Sequence, residues 1–242
     1  MSESPKTPIR LLIHGASGRM GQALLRLARE RDDVRVVAAY SRTPPAQRVI
    51  DNVAHFASAE LAGAPEFDVA IDFSLPEGFD PVLALCAQRG KGLVSGTTGL
   101  SSAQNAQINE AAAAIAVVWA ANYSLGVAVL TELVRQAAAA LPEWDCDVIE
   151  AHHTRKLDAP SGTALHLGAA AAIGRGRDPH YASLRAGDIV GEHTVQFATA
   201  GERIELIHRA TNRDIFARGA LHAATRLAER APGMYQLRDL LG

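Results

Sequence analysis

Seven residues near the start, Gly15-Ala16-Ser17-Gly18-Arg19-Met20-Gly21, narrow the folds open to this chain more than any others. An apolar run, Ile9–His14, reads as a strand before them, and a helical pattern, Met20–Glu30, follows. Glycines between a strand and a helix permit a tight turn and let backbone approach a pyrophosphate closely. The phosphates then meet the free amides and positive dipole of the helix N-terminus. The GxxGxxG spacing is looser than GxGxxG and by itself would also suit a turn without a ligand. A second strand reading that ends near residue 40 supplies the context that favours a nucleotide.

The rest of the first half repeats the alternation. Short apolar runs at Val34–Tyr40, Asp68–Phe73, Gly92–Ser95 and Ile115–Ala120 read as strands, with helical stretches at Pro76–Gln88 and Ser101–Ala114. Continuously apolar strands separated by helices predict an α/β fold, a Rossmann-type doubly wound parallel sheet covered on both faces. Between Arg42 and Phe67 the pattern weakens, and Pro44-Pro45 disfavours a regular helix.

After residue 123 the pattern changes. A helix over Gly126–Leu141 is closed by Pro142, and a strand over Cys146–Glu150 precedes a polar loop. A helix from Thr163 to Ile173 follows, then a Gly/Arg loop through Pro179. Two alternating strands, His193–Thr199 and Ile204–His208, predict an antiparallel sheet with one face buried. A last helix spans Arg213–Arg230. The division expected is a dinucleotide-binding domain of residues 1–123 plus 213–242, and a second α+β domain of residues 124–212.

Several turns fall where the parallel strands end, the usual ligand side of an open α/β sheet. At the end of the second strand an acid would grip both ribose hydroxyls of NAD, but Ser41-Arg42 stands there. A hydroxyl and a guanidinium fork suit a phosphate, which leans toward NADPH, with NADH possible; otherwise Arg42 is a solvated loop residue. Gly96-Thr97-Thr98-Gly99 and Ala120-Ala121-Asn122-Tyr123 are further candidates for the nicotinamide and its ribose. Ser74 is placed to cap the helix at Pro76.

The densest chemical stretch runs from Glu150 to Ala164, with His152, His153 and Lys156 followed by Ser161-Gly162-Thr163 at a helix start. Cations beside a helix N-terminus make an anion site with proton donors at its rim. A histidine pair alone is more often surface, and Ser161 alone a simple cap; their joint occurrence favours a site. No metal is expected, because neighbouring residues on extended chain point opposite ways and no cysteine lies near.

Composition excludes other classes. Basic residues number 24 against 26 acidic, a net charge of −2, which gives no broad attraction to nucleic acid. The longest apolar run, Ala111–Ala121, falls short of the ~20 residues of a membrane span. Cys86 and Cys146 imply no disulfide framework, and no GxSxG elbow occurs. A cytoplasmic protein without membrane or nucleic-acid partners is expected.

GASGRMG, DFSLPEG, VSGTTG, AANYSLGV, EAHHTRKLDAPSGTA and RAGDIVGEHTVQF occur in that order. Together they resemble the dihydrodipicolinate reductase family from about residue 9 to residue 240. The resemblance implies NAD(P)H-dependent reduction of 4-hydroxy-tetrahydrodipicolinate, a small cyclic dicarboxylate, in lysine and diaminopimelate biosynthesis. It implies His152 as proton donor with Lys156 as catalytic partner. His153, Lys156, Ser161, Gly162 and Thr163 would hold substrate carboxylates. Gly15 to Met20, Arg42, Gly96 to Thr98 and Ala120 to Tyr123 would line the cofactor. Many relatives carry an acid where Ser41 stands. The resemblance also implies that the second domain binds substrate and builds a homotetramer through its sheet. Two other readings are weaker: a Rossmann reductase of another semialdehyde or imino acid, which a nucleophilic cysteine would favour, and a silent nucleotide sensor, which losing His152 and Lys156 would favour.

Overall fold

The computed structural model describes residues 7–242. Its elements, in chain order, begin β1 (Ile9–His14), α1 (Arg19–Ala28), β2 (Val34–Ser41), β3 (Val49–Ile50), β4 (Val53–Ala57) and β5 (Val69–Asp72). There follow α2 (Pro76–Arg89), β6 (Gly92–Ser95), α3 (Ser102–Ala111), β7 (Ala116–Trp119) and α4 (Leu125–Ala140). The second half continues with β8 (Asp145–His152), α5 (Gly162–Arg175), β9 (His180–Arg185), β10 (Gly191–Thr199) and β11 (Glu202–Ala210). The chain closes with α6 (Asp214–Leu227) and β12 (Gly233–Tyr235).

The chain forms two compact units, one ending at Tyr123 and resuming at Phe216, the other spanning Ser124–Ile215. The first holds an eight-stranded sheet of order β12-β7-β6-β5-β1-β2-β4-β3. All its pairings are parallel except β3 with β4. Strand order reverses between β1 and β5, so the ends of those strands flank the topological switch point, where such sheets take ligands. Continuous apolar strands are buried as their sequences demand: Leu11, Leu12, Ile13, Val69, Ala70, Ile71, Val117 and Val118 are fully enclosed. Phe67, Phe79, Val82 and Leu93 fill the core against them.

The second unit is a four-stranded sheet, β11-β10-β8-β9, with β9 parallel to β8 and the other pairings antiparallel. Its alternating strands put Cys146, Val148, Val195 and Phe197 against Leu130, Val134, Leu167 and Ala171 of α4 and α5.

Four strands, β3, β4, β9 and β12, escape the sequence pattern. β4 lies in the weak region and pairs with β2 after a tight β3–β4 hairpin. Its turn is Asp51-Asn52, with φ of 50° and 63°, the left-handed pair a two-residue hairpin needs. β9 is an exposed edge whose residues His180–Arg185 show no apolar alternation, and β12 is only three residues long. Two boundaries also move. β8 runs two residues beyond Glu150, so His152 ends a strand instead of lying in a loop. Ser74 does not cap α2: the N-cap is Leu75, without a side-chain bond, and the Ser74 hydroxyl donates to the Leu75 carbonyl at 3.1 Å.

Candidate active site

In the first unit the glycine loop is shaped for close approach. Gly15 has φ of +78°, and a Cβ there would lie 2.3 Å from the Phe73 carbonyl oxygen. The loop is braced from three sides. Ala16 donates its amide to the Tyr40 carbonyl at 2.9 Å, the Ser17 amide donates to Ser41 Oγ at 3.0 Å, and Gln22 reaches the Ala16 carbonyl at 2.8 Å. The N-cap of α1 is Gly18, which offers no capping side chain. An uncapped helix N-terminus behind such a loop fits a dinucleotide pyrophosphate.

Three of the expected cofactor residues are packed inside the unit. Ser41 is buried and its oxygen holds the Ser17 amide, so it fixes the loop and leaves Arg42 as the exposed cation. Thr97 is buried, and its hydroxyl donates to Asp72 Oδ2 at 2.7 Å. Tyr123 is buried too, its hydroxyl donating to the Ser95 carbonyl at 2.8 Å. Their side chains brace the loops from inside. Arg19, Thr98 and Ala121 are exposed.

Beneath these loops lies a buried polar cluster that the sequence did not announce. His14 Nδ1 meets Asp72 Oδ1 at 2.9 Å, and His14 Nε2 meets Ser58 Oγ at 3.0 Å. Ser95 donates to Asp72 Oδ2 at 2.9 Å, and the Ser74 amide to Oδ1 at 3.2 Å. Burial opposes ionisation of Asp72, but hydrogen bonds from His14, Thr97 and Ser74 hold its carboxyl below the usual range.

The second unit gathers the chemical residues. Alternation along β8 puts Glu150 and His152 on its buried face and turns His153 away. Glu150 is enclosed and meets four nitrogens of three neighbours. His152 Nδ1 approaches Oε2 at 2.5 Å, Arg185 forks onto both oxygens at 2.9 and 2.8 Å, and the Ser161 amide donates at 3.2 Å. Burial pushes the Glu150 carboxyl up, but Arg185, Ser183 and His152 outweigh it and bring it down to about 2.

Ser161 caps α5 by accepting the Ala164 amide at 3.2 Å, and its hydroxyl lies 3.2 Å from His193 Nε2. Burial pushes His193 down to about 4, with His152 adding to the effect. Gly162 and Thr163 form the first turn of α5, a helix end of the kind that suits an anion. Lys156 contacts both oxygens of Asp158 at 2.8 Å. Arg213 donates to His153 Nε2 at 3.1 Å, and burial, then Arg155 and Arg213, lowers the basicity of His153.

Within this unit the structure brings His152, Ser161 and, through Arg185, the Lys156 loop to one carboxylate. The sequence reading passed over Glu150, Arg185, His193 and Arg213. Glu150 was findable, since a glutamate two residues before a histidine on an alternating strand shares its face. Arg185 and Arg213 are remote in sequence and carry no local signal. Among the described residues no group of His, Cys, Asp and Glu is arranged to hold a metal ion, and no helix is long and apolar enough to cross a membrane.

Comparison with known proteins adds a family. The model described as "Dihydrodipicolinate reductase, N-terminus" matches residues 9–123, and "Dihydrodipicolinate reductase, C-terminus" matches residues 126–241. A 4-hydroxy-tetrahydrodipicolinate reductase of Stenotrophomonas maltophilia (strain R551-3) is 70% identical over 98% of this chain and 99% of its own. One of Xanthomonas campestris pv. campestris (strain B100) is 68% identical over 97% and 98%. Among solved structures, a dipicolinate-bound dihydrodipicolinate reductase from Paenisporosarcina sp. TG-14 shares the fold, with TM-score 0.84 and 23% identity over 96% of this chain and 99% of that one.

Proposed function

Since the chain belongs to the dihydrodipicolinate reductase family, we propose that its second unit holds the dicarboxylate and supplies the proton, and that its first unit holds the nucleotide. The enzyme is an NAD(P)H-dependent oxidoreductase that reduces 4-hydroxy-tetrahydrodipicolinate to tetrahydrodipicolinate in diaminopimelate and lysine biosynthesis. The reaction consumes the reduced nucleotide and a proton, transfers hydride to ring C4, and releases water.

The bound nucleotide supplies the hydride. The chain's own residues do the rest. The glycine loop and the α1 terminus hold pyrophosphate, with the backbone of Gly96 to Thr98 and of Ala120 to Tyr123 as further contacts. His152 delivers the proton from Nε2, because Nδ1 is occupied by Glu150. Lys156 and His153, with the α5 turn Ser161-Gly162-Thr163, hold the carboxylates and offset the charge that hydride addition brings. The observation that carries this reading is the Glu150 carboxylate, which touches both His152 Nδ1 and the Ser161 amide and so ties proton donor to anion site.

Arg42, exposed beside a loop held by Ser41, supports a preference for NADPH over NADH. A cytoplasmic homotetramer is the proposed form. The sheet face away from α4 and α5 exposes Leu184 and Ile207, which suits an interface between copies. Nicotinamide absorbance tests the assignment when aspartate semialdehyde, pyruvate and a synthase generate substrate. Synthase-dependent oxidation, faster with NADPH, is expected. Arg42→Ala raises the KM for NADPH about 10-fold, the loss of one charge-assisted contact, and leaves NADH nearly unchanged. Equal effects on both nucleotides remove the phosphate role of Arg42.

A further inference from the structure

Glu150 is the most heavily used carboxylate of the second unit, and no step of the chemistry consumes it. Its side chain is 0% exposed, and its two oxygens are divided. Oε2 faces His152 Nδ1 and one Arg185 nitrogen; Oε1 faces the other Arg185 nitrogen and the Ser161 amide. Arg185 is itself anchored, donating to the carbonyls of Lys156 at 3.2 Å, Leu184 at 2.6 Å and Asp158 at 2.6 Å. A carboxylate so fixed cannot turn away from the imidazole.

We infer that Glu150 is a positioning residue for the reduction: it accepts the hydrogen bond from His152 Nδ1–H and leaves Nε2 as the atom that carries the reactive proton. A neutral imidazole has one N–H, and the hydrogen bond at one nitrogen decides which nitrogen bears it. A carboxylate accepts only, so Nδ1 must be the donor toward Glu150. On the other side of the ring, no hydrogen bond among the described residues engages Nε2. Position 191 is glycine, and a Cβ there would stand 3.0 Å from that nitrogen. The Arg185 fork also pairs the charge behind the ring, so that no unpaired anion is left in the interior. The inference rests on the reading of His152 as proton donor.

Charged or titratable groups face the ring from each neighbouring element. They are Glu150 on β8, Arg185 on β9, and His193 on β10 with ring centroids 5.2 Å apart. His153, Lys156 and Asp158 follow in the loop.

The test compares Glu150→Gln, Glu150→Asp and His152→Gln, alone and combined, in the full-length enzyme with enzymatically generated substrate. Glu150→Gln is expected to lower kcat about 100-fold, within the range of a misdirected acid or base, with little change in substrate KM or NADPH binding. The alkaline fall of kcat is expected to move to lower pH, because a carboxylate charge beside the proton donor has been removed. Glu150→Asp restores part of kcat. In the His152→Gln background Glu150→Gln costs nothing further.

Undiminished kcat in Glu150→Gln, or an equal cost with and without His152, overturns the inference and makes Glu150 a purely structural ion-pair partner. Full turnover in His152→Gln overturns the proton-donor reading as well, which separates the two failures. Should Glu150→Gln not fold, the imidazole 15N spectrum of the wild-type enzyme decides. A neutral His152 protonated at Nδ1 is expected, and protonation at Nε2 refutes the role.

Discussion

Each unit buries a carboxylate against a histidine, and the two pairs differ in what surrounds them. In the first unit both nitrogens of His14 are engaged, by Asp72 and Ser58, and the residue is 1% exposed. Asp72 is satisfied by hydroxyls and a backbone amide. In the second unit Glu150 is satisfied by a guanidinium, and His152 keeps a tenth of its side chain exposed with Nε2 beside a glycine. The closed pair ties together the ends of β1, β5 and β6. The open pair has a nitrogen left for chemistry. A buried histidine is therefore read by what its second nitrogen meets, more than by the acid beside its first.

The comparison is sharpest in turnover. His152→Ala and Lys156→Ala are each expected to lower kcat about 1,000-fold, in the range of general acid–base loss, while NADPH binding survives. Full turnover in both, measured in the coupled assay, sinks the site. The closed pair should answer in stability. Asp72→Asn replaces the carboxylate that His14, Ser95 and Thr97 share with an amide and is expected to cost roughly 2 kcal/mol in urea unfolding. Its kcat at saturating NADPH changes little; a large kcat loss at unchanged stability would make the two pairs functionally alike.

The smallest effect concerns pH. His193, behind the open pair, has its basicity lowered by burial to about 4 against an ordinary 6.5. The unfolded chain therefore binds its proton first, and stability is lost as pH falls from 6.5 toward 4. Between pH 7 and pH 5 this amounts to about 2 kcal/mol, at 1.36 kcal/mol per unit. His193→Gln should flatten that slope in urea titrations at the two pH values. Glu150, lowered to about 2, acts in a lower window: its stabilisation is present above 4.5 and lost as pH falls toward 2. A slope unchanged by His193→Gln would assign the loss elsewhere.

Much of this was legible before the fold. The apolar runs, the glycine turn and the Ser-Gly-Thr helix start are local signals, and β1, β6 and α2 begin where the sequence places them. β9 and β12 were not legible, because an exposed edge and a three-residue strand exist through pairing with β8 and β7, not through their own pattern. The burial of Ser41, Thr97 and Tyr123 was not legible, since only packing decides whether a hydroxyl faces outward or into the protein.

The sequence by itself determined the alternation of elements, the glycine loop and the family, because strand and helix periodicity and contiguous motifs are written within short windows. Tertiary structure alone decided which groups share a proton. It brought Arg185, 35 residues away, onto Glu150, and His193, 32 residues away, onto Ser161. The physical reason is that hydrogen bonds depend on distances of a few ångströms, and separation along the chain does not specify them until strand register has been set.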